Sequence, residues 1–109
     1  MFGRKSAERE GAIDVAEFGF LEGAEEFARM WASAGAGQTF IIEPRNLGAD
    51  PFLFGMAMVD AIRHGAKAWA HAIDIPEDEA LARIFEGFDA ERASPTDDPI
   101  DITSPGEPN

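Results

Sequence analysis

The stretch Asp-Pro-Phe-Leu-Phe-Gly-Met-Ala-Met-Val-Asp-Ala-Ile-Arg-His-Gly-Ala-Lys-Ala-Trp-Ala-His-Ala, from Asp50 to Ala72, decides the fold of this 109-residue chain. Its Asp-Pro start is typical of a helix N-terminus, because Asp can cap the first turn and proline is tolerated at the first helical position. Apolar residues then recur at helical spacing. The stretch predicts one long helix that ends where Ile73-Asp74-Ile75-Pro76 interrupts the pattern.

Two of the three sides of this helix are predicted to pack. A broad apolar side is expected to face the main core; it carries Phe52, Gly55, Met58, Val59, Ile62, Ala66, Trp69 and Ile73. A second side consists of small residues, and its candidate interface positions are Ala57, Ala61, Gly65 and Ala68. A glycine inside a helix costs about 1 kcal/mol relative to alanine. Gly65 therefore indicates close approach of another helix, either the one at 76–92 or one from a partner subunit, unless it is incidental on an exposed face.

The third side gathers the titratable residues of the helix, including both histidines of the chain: Asp60, Arg63, His64, Lys67 and His71. One interpretation is a ligand-binding site in which His64 acts as a base or ligand and Asp60, four residues away, orients it. The other is a solvated face on which Asp60 pairs with its helical neighbours. We favour the solvated face and keep Asp60, Arg63, His64 and Lys67 as candidate site residues.

Three further elements complete the predicted order. Partial alternation predicts a short strand within 12–20, and an apolar stripe at Ala24, Phe27, Ala28, Trp31 and Ala34 predicts a helix at 23–33. The branched and aromatic run at 38–43 predicts a second strand that Pro44 ends. Leu81, Ile84, Phe85 and Phe88 predict a third helix at 76–92, with an acidic first turn.

The predicted fold class is therefore α+β, with two short strands and three helices in the order strand–helix–strand–helix–helix. The pattern does not choose between parallel and antiparallel pairing. Two strands form a marginal sheet with open edges. We therefore expect a homodimer that completes the sheet or pairs helices.

The domain plan is a single folded domain at 12–93 between two polar ends. Residues 1–11 are predicted to be a flexible N-terminus. Residues 94–109 combine four prolines with four acidic residues and no basic ones, which predicts a disordered acidic tail.

Composition excludes several classes of function. The formal charge of −12 argues against nucleic-acid and membrane-surface partners, because phosphate backbones are bound by Lys and Arg. The absence of cysteine excludes thiolate metal sites and thiol nucleophiles. His64 and His71 are seven residues apart, about 10 Å along a helix, which is too far to share a zinc ion. We expect no metal and no cofactor, and a cytoplasmic location because no signal peptide or membrane span is apparent.

The chain resembles a family of small bacterial proteins classed as a domain of unknown function. The resemblance extends over about residues 24–98 and rests on these motifs: Phe27-Ala-Arg-Met-Trp31, Asp50-Pro51, Gly55-Met56, Val59-Asp-Ala-Ile-Arg-His64, Ala80-Leu-Ala-Arg-Ile84, Gly87-Phe-Asp-Ala-Glu91 and Ser94-Pro-Thr-Asp97. The sequence departs from the family pattern at Phe54 and Arg92, where tryptophan is usual. The resemblance implies a fold but no mechanism.

The function expected from the sequence is that of a small non-enzymatic interaction or accessory protein that forms a homodimer. The alternative is a small-molecule-binding protein or minor enzyme that uses the polar face of helix 51–72. The placement of Asp60, Arg63, His64 and Lys67 separates the two hypotheses, because a binding site requires a concave pocket with an apolar wall.

Overall fold

A computed structural model describes residues 9–35 and 37–96 of the chain. It divides between Asp50 and Pro51 into two compact units. The first unit contains strands β1 (Ala28–Ser33) and β2 (Gly37–Ile42). The second contains helices α1 (Phe52–Ile73) and α2 (Glu77–Ala93). The α+β class is confirmed, but the described residues contain two α-helices rather than three and give no support to a sheet completed by a second chain.

The two strands form an antiparallel hairpin. Ala28 pairs with Ile42 and Ser33 pairs with Gly37, and Glu43 continues the ladder by donating its backbone N–H to the carbonyl of Phe27 at 2.8 Å. The turn uses Gly35 and Gly37, whose φ angles of 74° and 83° lie in the left-handed region that glycine adopts without steric cost. The strand predicted at 38–43 is confirmed.

The helix predicted at 23–33 is wrong, because most of that segment is strand β1. Its apolar stripe fits a helix, yet β2 has backbone hydrogen-bonding groups that need a partner strand. The glycine-rich turn brings Ala28–Ser33 alongside β2, and pairing there satisfies both backbones. The glycines interpreted as a helix stop are instead the turn of the hairpin.

The strand predicted at 12–20 is also wrong. The backbone N–H of Ala16 donates to Asp14 Oδ1 at 3.0 Å, and the N–H of Phe18 donates to the carbonyl of Val15 at 3.1 Å. Such local bonds compete with a strand ladder. The segment therefore forms turns, followed by a short 3-10 helix at Gly19–Leu21.

Helix α1 confirms the long predicted helix, with a shift of one or two residues at its start. Pro51 occupies the N-cap position, and its carbonyl accepts the backbone N–H of Phe54 at 3.0 Å. At the other end Asp74 takes a left-handed conformation with φ 59°. The N–H of Ile75 then donates to the carbonyl of Ala70 at 3.2 Å. This left-handed residue reverses the chain so that α2 can begin three residues later.

Asp74→Gly is expected to stabilise the helix pair by about 0.5–1 kcal/mol, because glycine adopts left-handed φ without strain and the change removes a negative charge from the negative end of a helix. Chemical denaturation followed by circular dichroism measures the effect. Asp74→Asn is the control, since it removes only the charge. A loss of stability in Asp74→Gly would contradict the left-handed cap.

Helices α1 and α2 pack as an antiparallel pair over small side chains. Ala66 and Ala80 are the two fully buried side chains of the described residues, at 0% and 2% exposure. A Cβ added to Gly65 would meet Ile84 Cδ1 at 3.9 Å. Lys67 Nζ lies 3.2 Å from the carboxylate of Glu77 in the first turn of α2. The narrow core of this unit therefore lies along the α1–α2 contact.

Large apolar side chains remain exposed in both units. Half-exposed examples in the hairpin are Met30 at 51% and Phe40 at 52%. In the described residues no aromatic side chain is fully buried. The broad side of α1 predicted to face the core is thus only partly covered: Phe52, Trp69 and Ile73 are each more than half exposed.

Two predicted segments reach beyond the described residues. Residues 1–8 of the predicted N-terminus and residues 97–109 of the predicted tail lie outside them. At residues 94–96 the chain turns back on α2, where Thr96 donates its backbone N–H and its hydroxyl to Glu91 at 2.8 and 2.9 Å. These bonds lower the pKa of the Glu91 carboxyl. Within the described residues, no helix is both long and apolar enough to cross a bilayer.

Candidate functional site

The predicted polar face lies on α1 in the arrangement that helical spacing requires. Asp60, Arg63, His64 and Lys67 are all exposed to solvent. Lys67 pairs with Glu77, so its ammonium group links the two helices. Both side chains of this pair are more than half exposed, and such pairs contribute about 1 kcal/mol or less.

Each of the four candidate residues of the polar face is in contact with solvent in the described part of the chain. Catalytic electrostatics and ligand binding depend on concave, water-excluding surroundings. Asp60, Arg63 and His64 instead stand on the outside of the helix pair. Among residues 9–35 and 37–96, no three His, Asp or Glu side chains come together where they could hold a metal ion.

Of the four candidate interface positions on the small-residue side of α1, two are half-buried and two are exposed. Gly65 and Ala57 are half-buried, and Gly65 faces Ile84 of the same chain. Ala61 and Ala68 are exposed. The contact at Gly65 is an ordinary van der Waals separation, so an alanine would fit there. Gly65 is therefore not required for the helices to approach each other.

Part of the broad apolar side of α1 stays exposed beside the polar face. The sequence interpretation placed Phe52 and Val59 on that side but expected the side to face the core. Phe52, Met56 and Val59 are 69%, 55% and 43% exposed. They recur at i, i+4 and i+7, which places them within about 60° of one another around the helix. We call these three residues the apolar seam. Their spacing continues to Arg63 at i+11, and this regular 4-3-4 pattern is the signal that could have revealed the surface.

The hairpin carries a shallow open depression of about 580 Å³. Its wall includes the half-buried ring of Trp31, the hydroxyl groups of Ser33 and Thr39, and the charged side chains of Arg9 and Glu10. Each of these side chains is at least partly exposed. The depression therefore offers polar contacts without the enclosure that holds a small ligand.

Glu43 and Arg45 form a bidentate ion pair where β2 ends. Arg45 Nε and Nη2 donate to the two carboxylate oxygens of Glu43 at 2.7 and 2.9 Å, and the backbone N–H of Arg45 donates at 3.1 Å. The side-chain and backbone hydrogen bonds from Arg45 lower the pKa of Glu43 from 4.5 to about 2. The pair fixes the backbone between residues 43 and 45, where the chain leaves the hairpin. We therefore interpret it as a structural ion pair on the protein surface.

Glu43 is expected to titrate near pH 2, and Arg45→Gln is expected to return its pKa toward 4.5. A carboxyl group whose pKa is depressed by folding contributes stability above about pH 4.5, and that contribution is lost as the pH falls toward 2. Carboxyl ¹³C NMR titration measures the shift. Arg83→Gln, which removes the Arg83–Glu86 pair on α2, is the control and should leave Glu43 unchanged. A Glu43 pKa near 4.5 in the unaltered chain would contradict the pair.

Comparison with known proteins identifies the family to which the chain belongs. The family model named DUF5076, a domain of unknown function, matches residues 20–96. The chain belongs to the DUF5076 family. The matched region contains the hairpin and both helices, and it confirms the family resemblance drawn from the motifs between residues 24 and 98.

One solved structure resembles this DUF5076 chain closely enough to support the fold. It is described as a "putative pyruvate dehydrogenase from the photosynthetic bacterium Rhodopseudomonas palustrus". The two chains are 34% identical with a TM-score of 0.62, and the alignment covers 78% of this chain and 88% of the other. A search of curated proteins returns no match. The comparisons therefore give the DUF5076 chain a family and a fold, while the family name carries no activity.

Proposed function

We propose that this DUF5076 chain is a small, non-enzymatic interaction or accessory protein that works as a homodimer in the cytoplasm. The observation that supports the proposal is the distribution of apolar surface. The described residues fully bury only Ala66 and Ala80, while sixteen large hydrophobic side chains remain exposed. Scattered exposed apolar residues are ordinary, but a small domain needs a buried core to be stable. Association with another chain supplies the missing burial.

The acidic character of the chain limits the partners. With a net charge of −12, nonspecific association with nucleic acid or an anionic membrane is disfavoured, so among macromolecules we expect a protein partner. The like charges also oppose self-association over long distances. Salt screens that repulsion within about 8 Å at physiological ionic strength, whereas apolar contacts are insensitive to screening. We therefore expect the dimer to persist or strengthen as salt is added.

Size-exclusion chromatography with light scattering on the full chain tests the proposal. The expected mass is twice the 11.8 kDa of one chain, across micromolar concentrations and at both low and physiological salt. A mass of 11.8 kDa at every concentration would reject the homodimer.

The second candidate is a small-molecule-binding protein or minor enzyme that uses Asp60, Arg63, His64 and Lys67. The observation that favours it is the description of the solved relative as a "putative pyruvate dehydrogenase". The open position of the four side chains argues against it, as does the Lys67–Glu77 pair. Titration of pyruvate into ¹⁵N-labelled protein separates the candidates. Saturable shifts centred on His64 that disappear in His64→Ala would favour the binding protein.

A further inference from the structure

We propose that the two copies of the homodimer meet through one face of the hairpin, packed face to face. This inference rests on the homodimer proposed above and assigns its surface. Side chains of a strand alternate between its two faces, and the register of β1 and β2 sets which of them share a face. We call the contact surface the hairpin face; it consists of Ala28, Met30 and Ala32 of β1 and Gln38, Phe40 and Ile42 of β2.

The unit that contains the hairpin lacks buried side chains. None is buried among residues 9–35 and 37–50, which are the described residues of this unit. A two-stranded hairpin is marginally stable on its own in water, and it gains stability when an apolar face packs against another surface. On the hairpin face, Met30, Phe40 and Ile42 are 51%, 52% and 37% exposed. Packing on this face therefore supplies the burial that the unit lacks.

The absence of charge on the hairpin face favours a second copy as its partner. Two chains that each carry a charge of −12 repel each other, so their contact is most favourable where neither presents a charge. None of the six residues of the face is charged, although charged residues make up 28% of the chain. The opposite face carries Arg29, and Arg9 and Glu10 line the depression beside Trp31. A basic partner would be attracted to acidic side chains, and the hairpin face offers it none.

The hairpin face is also complementary to itself in shape. A two-fold axis parallel to the strands, between β1 and β2, places β1 of one copy over β2 of the other. Because Met30 pairs with Phe40 within the hairpin, this axis sets Met30 against the partner's Phe40. In the same way Ala28, which pairs with Ile42, faces the partner's Ile42. Small side chains thus meet large ones, as in packed sheets, and the methionine sulfur makes a favourable contact with an aromatic ring.

The exposed area is a large part of what a dimer of ordinary size requires. A stable interface buries about 800 Å² on each partner, of which roughly 60% is apolar. Taking ~200 Å² for a large side chain, the exposed fractions of Met30, Phe40 and Ile42 amount to roughly 300 Å². These three residues therefore supply more than half of the apolar area that such an interface contains, and Ala28 and Ala32 add to it.

The charge-insertion test uses two adjacent residues of β2 with nearly equal exposure. Phe40 is 52% exposed on the hairpin face, and Ile41 is 56% exposed on the opposite face. Phe40→Glu places a carboxylate inside the proposed contact, and we expect it to raise the dimer dissociation constant by at least about 100-fold. Ile41→Glu gives the chain the same net charge, so general repulsion is matched, and it should leave the dissociation constant nearly unchanged. Sedimentation equilibrium at physiological ionic strength measures both.

A crosslinking test does not depend on the behaviour of the charged variants. The chain has no cysteine, so Phe40→Cys and Ile41→Cys each introduce a single thiol. Facing sheets lie about 10 Å apart, within reach of a short bis-maleimide, so Phe40→Cys should form a covalent dimer in high yield. The thiol of Ile41→Cys lies on the far side of the hairpin and should form little. The reaction is run at micromolar protein, where random collision gives little product.

The outcomes separate this inference from the homodimer itself. Dissociation by Phe40→Glu but not by Ile41→Glu, with crosslinking at position 40 alone, would support the hairpin face. A dimer that survives Phe40→Glu and is not crosslinked in Phe40→Cys would overturn the face and leave the homodimer in place. Equal dissociation by both glutamate variants without crosslinking at position 40 would also overturn it, because the two faces would then be equivalent. A chain that is monomeric throughout would overturn both proposals.

Discussion

Ala66→Asp is expected to destabilise the helix pair by about 3–5 kcal/mol, the range typical of an uncompensated buried charge. Ala66 is 0% exposed and lies where α1 meets α2. Because Ala66 is fully buried, a carboxylate at this position would lose its hydration. Urea denaturation followed by helix circular dichroism measures the loss.

Ala68→Asp is the matched control, because it makes the same change two residues away on an exposed part of the same helix. Its expected cost is the lower helix propensity of aspartate, about 0.7 kcal/mol. Similar losses in both variants would mean that the contact between the helices does not form around Ala66.

Gly65 is expected to respond with opposite signs to a small and a large side chain. Gly65→Ala should stabilise the pair by up to about 1 kcal/mol, because alanine favours the helix and its Cβ meets Ile84 at an ordinary 3.9 Å. Gly65→Leu should destabilise it by about 1–3 kcal/mol, because the longer side chain must displace Ile84. Thermal and urea unfolding of the two variants measures both effects.

His71→Ala serves as the comparison for Gly65, since His71 is exposed near the end of α1. Its effect should be within about 0.5 kcal/mol, as for most surface substitutions. If Gly65→Leu were as mild as His71→Ala, the position of Gly65 against α2 would be wrong. If Gly65→Ala were strongly destabilising, the helices would approach more closely than the structure has them.

The two packing predictions concern the contact between α1 and α2 within one chain. Variants at Ala66 and Gly65 should therefore change stability by the same amount at any protein concentration. A variant that acts on association between chains should instead have an effect that depends on protein concentration. This difference keeps folding and dimerisation separable in the same set of experiments.

The polar face shows which properties of a candidate site can be predicted from residue spacing. Helical spacing correctly places Asp60, Arg63, His64 and Lys67 on one exposed side of α1. Spacing cannot show whether a neighbouring element encloses that side. Among the described residues, no neighbouring element covers these four side chains. Spacing also could not predict the ion pair between Lys67 and Glu77, which are ten residues apart on different helices.

The sequence by itself determined the two helices and strand β2. Their signals are local: apolar residues three and four positions apart for α1 and α2, branched and aromatic residues for β2, and prolines at 44, 51 and 76 that limit the elements. Local patterns suffice because helical hydrogen bonds join residues only four positions apart. The net negative charge and the absence of cysteine also follow directly from the amino-acid composition.

Only the tertiary structure decided strand β1 and the sides of α1 that are covered. Ala28–Ser33 has the apolar spacing of a helix, yet it becomes a strand because β2 offers a ladder of backbone hydrogen bonds across a glycine turn. Phe52 and Val59 belong to an apolar side by spacing, but α2 leaves them exposed. The physical reason is the same in each case: pairing and burial depend on what a distant part of the chain places alongside a segment, and no local pattern contains that information.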